Sequence, residues 1–256
     1  MEKDYYSNIC VICVIIIILI CIISFCINNF KICFAIPTTS ARRNWKNIKD
    51  SYLYNSIHKL YKNYSNNSDI HIFISYDKND PLFSLINNQI KFNNDYNKFK
   101  IKWFENDFEP GNVVKHWNYL YEKSYENNID YTFLIGDDIE YPDNNNWLNE
   151  LIIPLKNNND IGISGGYSGQ KFMTQFLVSK KHYEIFNYAF NPNIKNWYCD
   201  NYLFELYPKK YINFLTHIVL PNKGGKPRYN IVNMKDLYNK YVNEDKIKLN
   251  TYLSKI

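Results

Sequence analysis

Residues 131–140 are Tyr131-Thr132-Phe133-Leu134-Ile135-Gly136-Asp137-Asp138-Ile139-Glu140, and the meaning of this stretch decides the fold. Tyr131 to Ile135 is a run of aromatic and branched side chains long enough for one buried strand. It stops at Gly136, where two carboxylates follow side by side, with Glu140 two residues on. A carboxylate at the edge of an apolar core is costly to leave unpaired. Two adjacent ones each favour the neutral form unless a cation lies between them. A hard divalent metal, held by carboxylate oxygens and shared with a substrate's phosphates, meets that requirement. A solvated strand-to-turn junction is the other meaning of the same residues, and the decapeptide by itself leaves both open.

Upstream of this stretch, strand and helix patterns alternate. Lys31 to Ile36 is expected as a first buried strand ending at Pro37, with Thr38, Thr39 and Ser40 supplying hydroxyls. A helix follows, its core face set by Trp45, Ile48, Tyr52, Leu53, Ile57, Leu60, Tyr61 and Tyr64. Ile70 to Ile74 and Lys98 to Phe104 are expected strands. Val113, Val114, Trp117, Leu120, Tyr121 and Tyr125 form the apolar face of a helix leading into the 131–135 strand. Alternation of this kind implies an α/β fold, a mostly parallel Rossmann-like sheet with flanking helices. Ligands of such sheets sit at the carboxyl ends of the strands. Those ends carry Thr38 to Arg43, Asp77 to Asp80 and Asp137 to Glu140.

Downstream, Trp147 to Leu155 has the pattern of a short helix stopped by Pro154. Ile161 to Ser164 is a strand running into Gly165-Gly166-Tyr167-Ser168-Gly169, which lacks the spacing of a phosphate-cradling loop. Phe172 to Val178 is expected as a strand, and Ser179 as the cap of a helix reaching Phe190. Asn196-Trp197-Tyr198-Cys199-Asp200 introduces a helix with Tyr202, Leu203, Leu206 and Tyr207 on its core face. Asp200 there is either the helix N-cap or a general base for an acceptor hydroxyl. His217, within Phe214 to Leu220, is either a buried hydrogen-bonded histidine or a metal ligand. Asn222 to Tyr229 is a basic glycine loop.

At 256 residues, with 24 Tyr and 16 Phe, the chain has material for one substantial domain and a small appendage. The net charge of +5 comes from dispersed lysines, which announces no nucleic-acid surface. Ile9 to Ile27 is uncharged and as a helix would span about 28 Å, close to a bilayer's hydrocarbon thickness. It lacks the flanks of a cleaved signal, so an uncleaved single-pass anchor is expected. Lys31, Arg42, Arg43, Lys46 and Lys49 follow the segment, which favours a cytoplasmic catalytic domain. Arg42 to Lys49 also look like folded protein, so the orientation stays open. Cys10, Cys13, Cys21 and Cys26 fall in this segment, leaving Cys33 and Cys199, with no disulfide or zinc framework. The expected organisation is a tail at 1–8, the anchor at 9–27, a catalytic domain at 31–232 and a Lys- and Asn-rich tail at 233–256.

The strand ending in Pro37-Thr38-Thr39 with Arg42 and Arg43 resembles the first nucleotide-binding turn of GT-A glycosyltransferases, and Gly136-Asp137-Asp138 resembles their D-x-D region. Further blocks are similar to GT-A-like proteins of protists and large DNA viruses. These are Tyr76-Asp77-Lys78-Asn79-Asp80-Pro81, Asp130 to Asp138, Thr174-Gln175-Phe176-Leu177-Val178-Ser179, Asn196 to Asp200 and Gly224-Gly225-Lys226-Pro227-Arg228-Tyr229. The resemblance runs from residue 31 to about 230. The first D-x-D position is Gly136 here, and the doubled acid after Cys199 is Asp200-Asn201.

The resemblance implies a glycosyltransferase with the GT-A fold. Its donor would be a nucleotide-sugar and its acceptor a hydroxyl of a glycan, protein or lipid. Asp138 would hold Mn2+ or Mg2+ with the diphosphate, joined by His217. Thr38, Arg42, Asp77 and Asp137 would contact the donor, and Asp200 would activate the acceptor with inversion. Three other functions share some of these features: a nucleotidyltransferase on a related sheet, a template-directed polymerase, and an inactive membrane-tethered carbohydrate-binding relic. The polymerase needs an earlier aspartate motif in a setting that Asp77 and Asp80 do not supply.

Overall fold

Strand β1 (Lys31–Thr38) is buried along nearly its whole length, so both of its faces need cover, as expected of a central parallel strand. The computed structural model describes residues 30–64, 69–224 and 227–255. The expected anchor at Ile9 to Ile27 lies outside the described residues. Among the described residues no helix is long and apolar enough to cross a membrane.

The other strands are β2 (Asp69–Asp77), β3 (Lys100–Asn106), β4 (Tyr131–Leu134), β5 (Ile163–Tyr167), β6 (Phe176–Ser179) and β7 (Ile212–Val219). They form one sheet in the order β3-β2-β1-β4-β6-β5-β7. β1 pairs in parallel with β2 and β4, and β2 with β3. β6 runs antiparallel between β4 and β5, so the sheet is mixed but mostly parallel. Pro37 lies past the last β4 partner of β1, the Ala35–Leu134 pair, at the end of the ladder where a missing N–H is tolerated.

Side chains alternate across the sheet. Ile32, Phe34 and Ile36 enter one core with α1 (Tyr52–Asn63), α2 (Ile86–Asp95) and α4 (Trp147–Asn157). Phe34, Phe133 and Trp147 meet there in edge-on and tilted pairs, geometries that favour aromatic rings. Cys33 and Ala35 face a second core with α3 (Val113–Glu126), α5 (Lys180–Phe186), α6 (Cys199–Leu206) and α7 (Lys235–Leu253). Ser51 caps α1 by accepting from Tyr54 N, and Ser179 caps α5 by accepting from Lys181 N.

Several elements differ from the sequence expectation, and the helix capped by Ser179 ends at Phe186 rather than Phe190. Trp45 and Ile48 precede the first helix, Ile48 lying in a short 3-10 turn, because α1 begins only after Ser51. α2 has few apolar side chains and carries no clear stripe; Ile86 and Ile90 are exposed and Phe92 is its one buried hydrophobe. Pro154 lies inside α4 rather than ending it. The lost N–H bond there is offset by the buried face of Trp147, Leu148, Leu151, Ile152 and Leu155. Gly165 and Gly166 belong to β5, where a Cβ would come within 2.4 Å of Gln175 O or Ile218 O. Only glycine lets the neighbouring backbones approach that closely.

The Lys- and Asn-rich C-terminal segment is the helix α7, held by a fully buried carboxylate. Asp245 accepts from Tyr188 Oη at 2.5 Å, and from Tyr202 Oη and Asn191 Nδ2 at 2.7 Å each. Lys248 Nζ lies 2.7 Å away. Burial works against the charge, but these bonds outweigh it and hold the carboxyl below its ordinary range. Asp245→Ala strands three polar groups and is expected to cost about 3 kcal/mol. Urea unfolding measures this, and an unchanged midpoint would show that α7 is not tied by Asp245.

Candidate functional site

The acidic turn closes β4, and the two carboxylates in it have opposite surroundings. Asp137 is 1% exposed. Thr38 Oγ1, from the end of β1, donates to its Oδ2 at 2.6 Å. Arg228 grips the same carboxylate in bidentate fashion: Nη1 donates to Oδ2 at 2.6 Å and Nη2 to Oδ1. Nη1 also donates to Thr39 O at 2.9 Å, and the guanidinium lies over the rings of Trp45 and Tyr52. Burial disfavours the cation, but Asp137 outweighs it and raises the pKa of Arg228. Charge-assisted bidentate pairs of this kind are strong and geometrically specific.

Arg228 belongs to a strap crossing the carboxyl ends of the strands. Asn222 bridges to Ile139, Lys223 N donates to Asp138 O at 2.8 Å, and Gly224 N donates to Asp138 Oδ2 at 2.9 Å. A Cβ on residue 224 would fall 2.0 Å from that oxygen, so only glycine brings its N–H to the carboxylate. Arg43 Nη2 donates to Gly224 O at 2.7 Å. Burial first, and the Asp137 charge second, push the Asp138 carboxyl up, while Arg228 and the Gly224 N–H pull it back.

Two cavities flank the turn. One, with about 570 Å³ of empty space open to solvent, is lined by Thr38, Asp77, Gly111, His116, Arg228 and Tyr229 among others. Its mouth lies over the ends of β1 and β2 and the start of α3. The other, with about 620 Å³, holds Tyr52, Ser56, Lys59, Asp138, Glu140 and Lys223. Lys59 and Lys223 both sit 2.8 Å from Glu140, and these bonds hold that exposed carboxyl down to about 2. Asp77 is half-buried at the first cavity. Burial opposes its charge, but the hydrogen bond from His116 wins and keeps the carboxyl below its ordinary range. Asp80 is also buried, accepting from Ser40 N and Ser40 Oγ at 2.7 Å each, and it braces the turn after β1.

Asp200 lies in the first turn of α6. The residue capping that helix is Tyr198, in the left-handed conformation, with no side-chain cap bond; Asp200 is therefore not the N-cap. Cys199 Sγ donates to Asp200 Oδ1 at 3.3 Å, and burial pushes its carboxyl up to about 6. Tyr229 joins this region to the strap. Burial raises its phenol pKa, and the charges it feels are those of Cys199 and Asp200 on one side and Arg228 and Asp138 on the other. Asn196 fastens the same junction, donating to Gly111 O and Asn230 O at 3.0 Å each.

The structure thus brings together Thr38, Asp77, Asp137 and Asp138 around the strap, while Asp200 lines neither cavity. Arg42 is exposed and donates to Asn230 Oδ1 at 2.8 Å, outside the cavity lining. His217 is exposed on β7 and lies 2.8 Å from Glu150 of α4, so it does not join the groups around Asp138. The expectation that it completes a metal shell is corrected on that ground. Arg228, Tyr229 and His116 are site residues absent from the sequence expectation. Arg228 was signalled by the basic glycine loop, and His116 by its place four residues before Leu120, a polar group on an apolar helix face.

A divalent cation fits one part of this set. Among the described residues, no three His, Cys, Asp or Glu side chains converge, and Arg228 with Thr38 already fills the carboxylate of Asp137. Asp138 takes one bond from the strap at Oδ2, and it lines the second cavity. That suits a hard cation drawing one ligand from the protein and the rest from a diphosphate and water.

No protein-family model matches the chain, and no curated protein sequence does. Solved structures do. TarS of S. aureus superposes with a TM-score of 0.55 at 12% identity, covering 82% of this chain and 38% of that one. The mannosyltransferase PcManGT of Pyrobaculum calidifontis, solved with GDP-Man and Mn2+, gives 0.53 at 9% identity, covering 77% of this chain and 59% of that one. A cytidylyltransferase of Leptospira borgpetersenii gives 0.47 at 10% identity, covering 88% and 96%. The chain spans less than two thirds of the length of the first two. At these identities the likeness establishes a shared fold, the mostly parallel α/β arrangement of the GT-A type.

Arg228→Met leaves the carboxylate of Asp137 buried without its cation, and is expected to cost about 3 kcal/mol. Adding Asp137→Asn should recover much of that loss, since the uncompensated charge goes with it. Denaturant titration of the two variants decides it; equal instability would mean that the pair is not the source.

Proposed function

We propose that the chain is a glycosyltransferase, moving a sugar from a nucleoside diphosphate to a hydroxyl acceptor with inversion. One observation carries this: an open cavity over the ends of β1 and β2 is walled by Thr38 and Arg228, the two residues that bond Asp137 of the acidic turn. The nucleoside would lie in that cavity against Thr38 and Asp77, and the diphosphate beside Asp138 and Arg228. Mn2+ or Mg2+, when bound at Asp138, would supply positive charge to the leaving diphosphate. Arg228 adds a fixed cation at the same place, oriented before reaction by its bonds to Asp137.

Asp200 is the base in this scheme. Its carboxylate takes the acceptor hydroxyl proton as the new C–O bond forms at the anomeric carbon and the nucleoside diphosphate leaves. Burial tunes it, since a carboxyl near 6 is a stronger base than an ordinary one yet still ionised at neutral pH. The uncharged Ile9 to Ile27 segment supports a membrane tether for the enzyme, with a glycan, protein or lipid hydroxyl as acceptor.

The test is release of nucleoside diphosphate from a panel of nucleotide-sugars with Mn2+, using the full-length chain. Asp138→Ala is expected to lower turnover about 100-fold or more. Formation of pyrophosphate from a nucleoside triphosphate and a sugar phosphate would instead identify a nucleotidyltransferase. No donor turnover or binding by the wild type would overturn the proposal. The base must be ionised, so kcat/KM should fall about tenfold per pH unit below pH 6. Asp200→Asn should remove that limb along with most of the activity, and a wild-type pH profile flat to pH 5 would contradict the assignment.

A further inference from the structure

Behind Asp77 runs a continuous chain of buried polar side chains that the scheme above does not use. Asn106 Nδ2, at the end of β3, donates to Ser75 Oγ at 2.8 Å. Ser75 Oγ lies 2.6 Å from His116 Nδ1. His116 Nε2 lies 3.2 Å from Asp77 Oδ1. Ser75, His116 and Asn106 are all buried, whereas the Asp77 side chain is 30% exposed at the cavity. The edge of Phe108 packs on the imidazole with ring centroids 5.0 Å apart.

The hydrogens along this chain can be assigned. Asn106 Nδ2 also donates to Phe104 O at 3.3 Å, and flipping the amide would set two oxygens against each other. Ser75 therefore accepts from Asn106, and the same hydroxyl pairs with Nδ1. Nε2 faces a carboxylate, which can only accept, so it carries a hydrogen and donates it to Asp77. The same three residue types make hydrolytic triads. Here Ser75 is 0% exposed and meets the imidazole through Nδ1, so no substrate carbonyl can reach it.

What the chain accomplishes is to hold one carboxylate oxygen of Asp77 in a fixed direction and to keep the group a pure acceptor. Asp77 ends β2, which lies two strands from β4 in the order β2-β1-β4. At about 4.8 Å per strand that is roughly 10 Å from the acidic turn, of the order of the distance from a nucleotide's diphosphate to the edge of its base. Resting on the transferase reading above, we propose that His116 is a positioning residue. Backed by Ser75 and Asn106, it fixes Asp77 to accept a hydrogen bond from the nucleoside of the donor. A base with a ring N–H, such as uracil or guanine, satisfies that acceptor. Adenine and cytosine set an unprotonated ring nitrogen against it.

Calorimetric titration of the full-length chain with UDP, GDP, ADP, CDP and inorganic pyrophosphate, all with Mn2+, tests this. UDP or GDP should bind tightest. His116→Leu should weaken that binding about tenfold and leave pyrophosphate unchanged, the size expected for one hydrogen bond to a charged group. His116→Gln, which can return an N–H to Asp77, should recover to within about threefold of wild type. In an Asp77→Ala background, His116→Leu should have no further effect. If His116→Leu does not fold, Ser75→Ala carries the same test by removing the bond to Nδ1. Preference for ADP or CDP, wild-type binding by His116→Leu, equal loss of pyrophosphate, or additivity with Asp77→Ala would each overturn the inference. A wild type that binds pyrophosphate and nucleoside diphosphates normally in those cases leaves the transferase reading standing. A wild type that binds no nucleoside diphosphate overturns both.

Discussion

A carboxylate that is 1% exposed cannot stay ionised alone, and the site is built on the way Asp137 is neutralised. Its partner, Arg228, comes from 91 residues further along the chain. That one ion pair draws the strap over the carboxyl ends of β1 and β4, so the cavity gains Arg228 and Tyr229 as a wall. The same strap brings Gly224 N to Asp138 and carries Tyr229 toward Asp200. Without the pair, the turn after β4 would be two exposed acids at a strand end, and the cavity would be open on one side.

Adjacency in sequence conceals a division of labour between the two carboxylates. Asp137 is saturated by Thr38 and Arg228 and acts as a structural anchor. Asp138 has one backbone donor on its carboxylate, and burial with the like charge beside it pushes the carboxyl up. A similar division separates Asp77 from Asp200. Asp77 is half-buried, and the hydrogen bond from His116 holds its carboxyl low. Asp200 is raised by burial, and its carboxylate is suited to accept a proton. The four acids thus differ in electrostatic setting because their immediate partners differ.

Much of this was legible in the chain. The apolar runs at 31–36, 70–74 and 131–135 and the stripes at 52–64 and 113–125 identify the parallel half of the sheet, since burial on both faces demands continuous apolar strands. The strand ends then locate Thr38, Asp77, Asp137 and Asp138. The antiparallel β6 between β4 and β5 was not legible, because strand order depends on long-range packing that periodicity does not encode. The strand expected at Ile161 to Ser164 is β5, but its end was obscured by Gly165-Gly166, glycines that serve close backbone approach rather than a loop. For His217 and Arg42, residue type and rough position suggest a role, but direction is set by the neighbour each side chain finds, Glu150 and Asn230 here. His116 was overlooked because its partners Ser75, Asp77 and Asn106 come from the two other strands.

The central claim is that the Arg228–Asp137 pair and the Asp77 relay frame one nucleotide site, with Asp138 beside it. A crystal structure of the full-length chain with a bound nucleoside diphosphate and Mn2+ tests this most directly. The account predicts the base within hydrogen-bond distance of Asp77, and the diphosphate between Arg228 and Asp138 with the metal on the Asp138 carboxylate. A nucleotide bound elsewhere, with Asp77 and Arg228 both uncontacted, would contradict it.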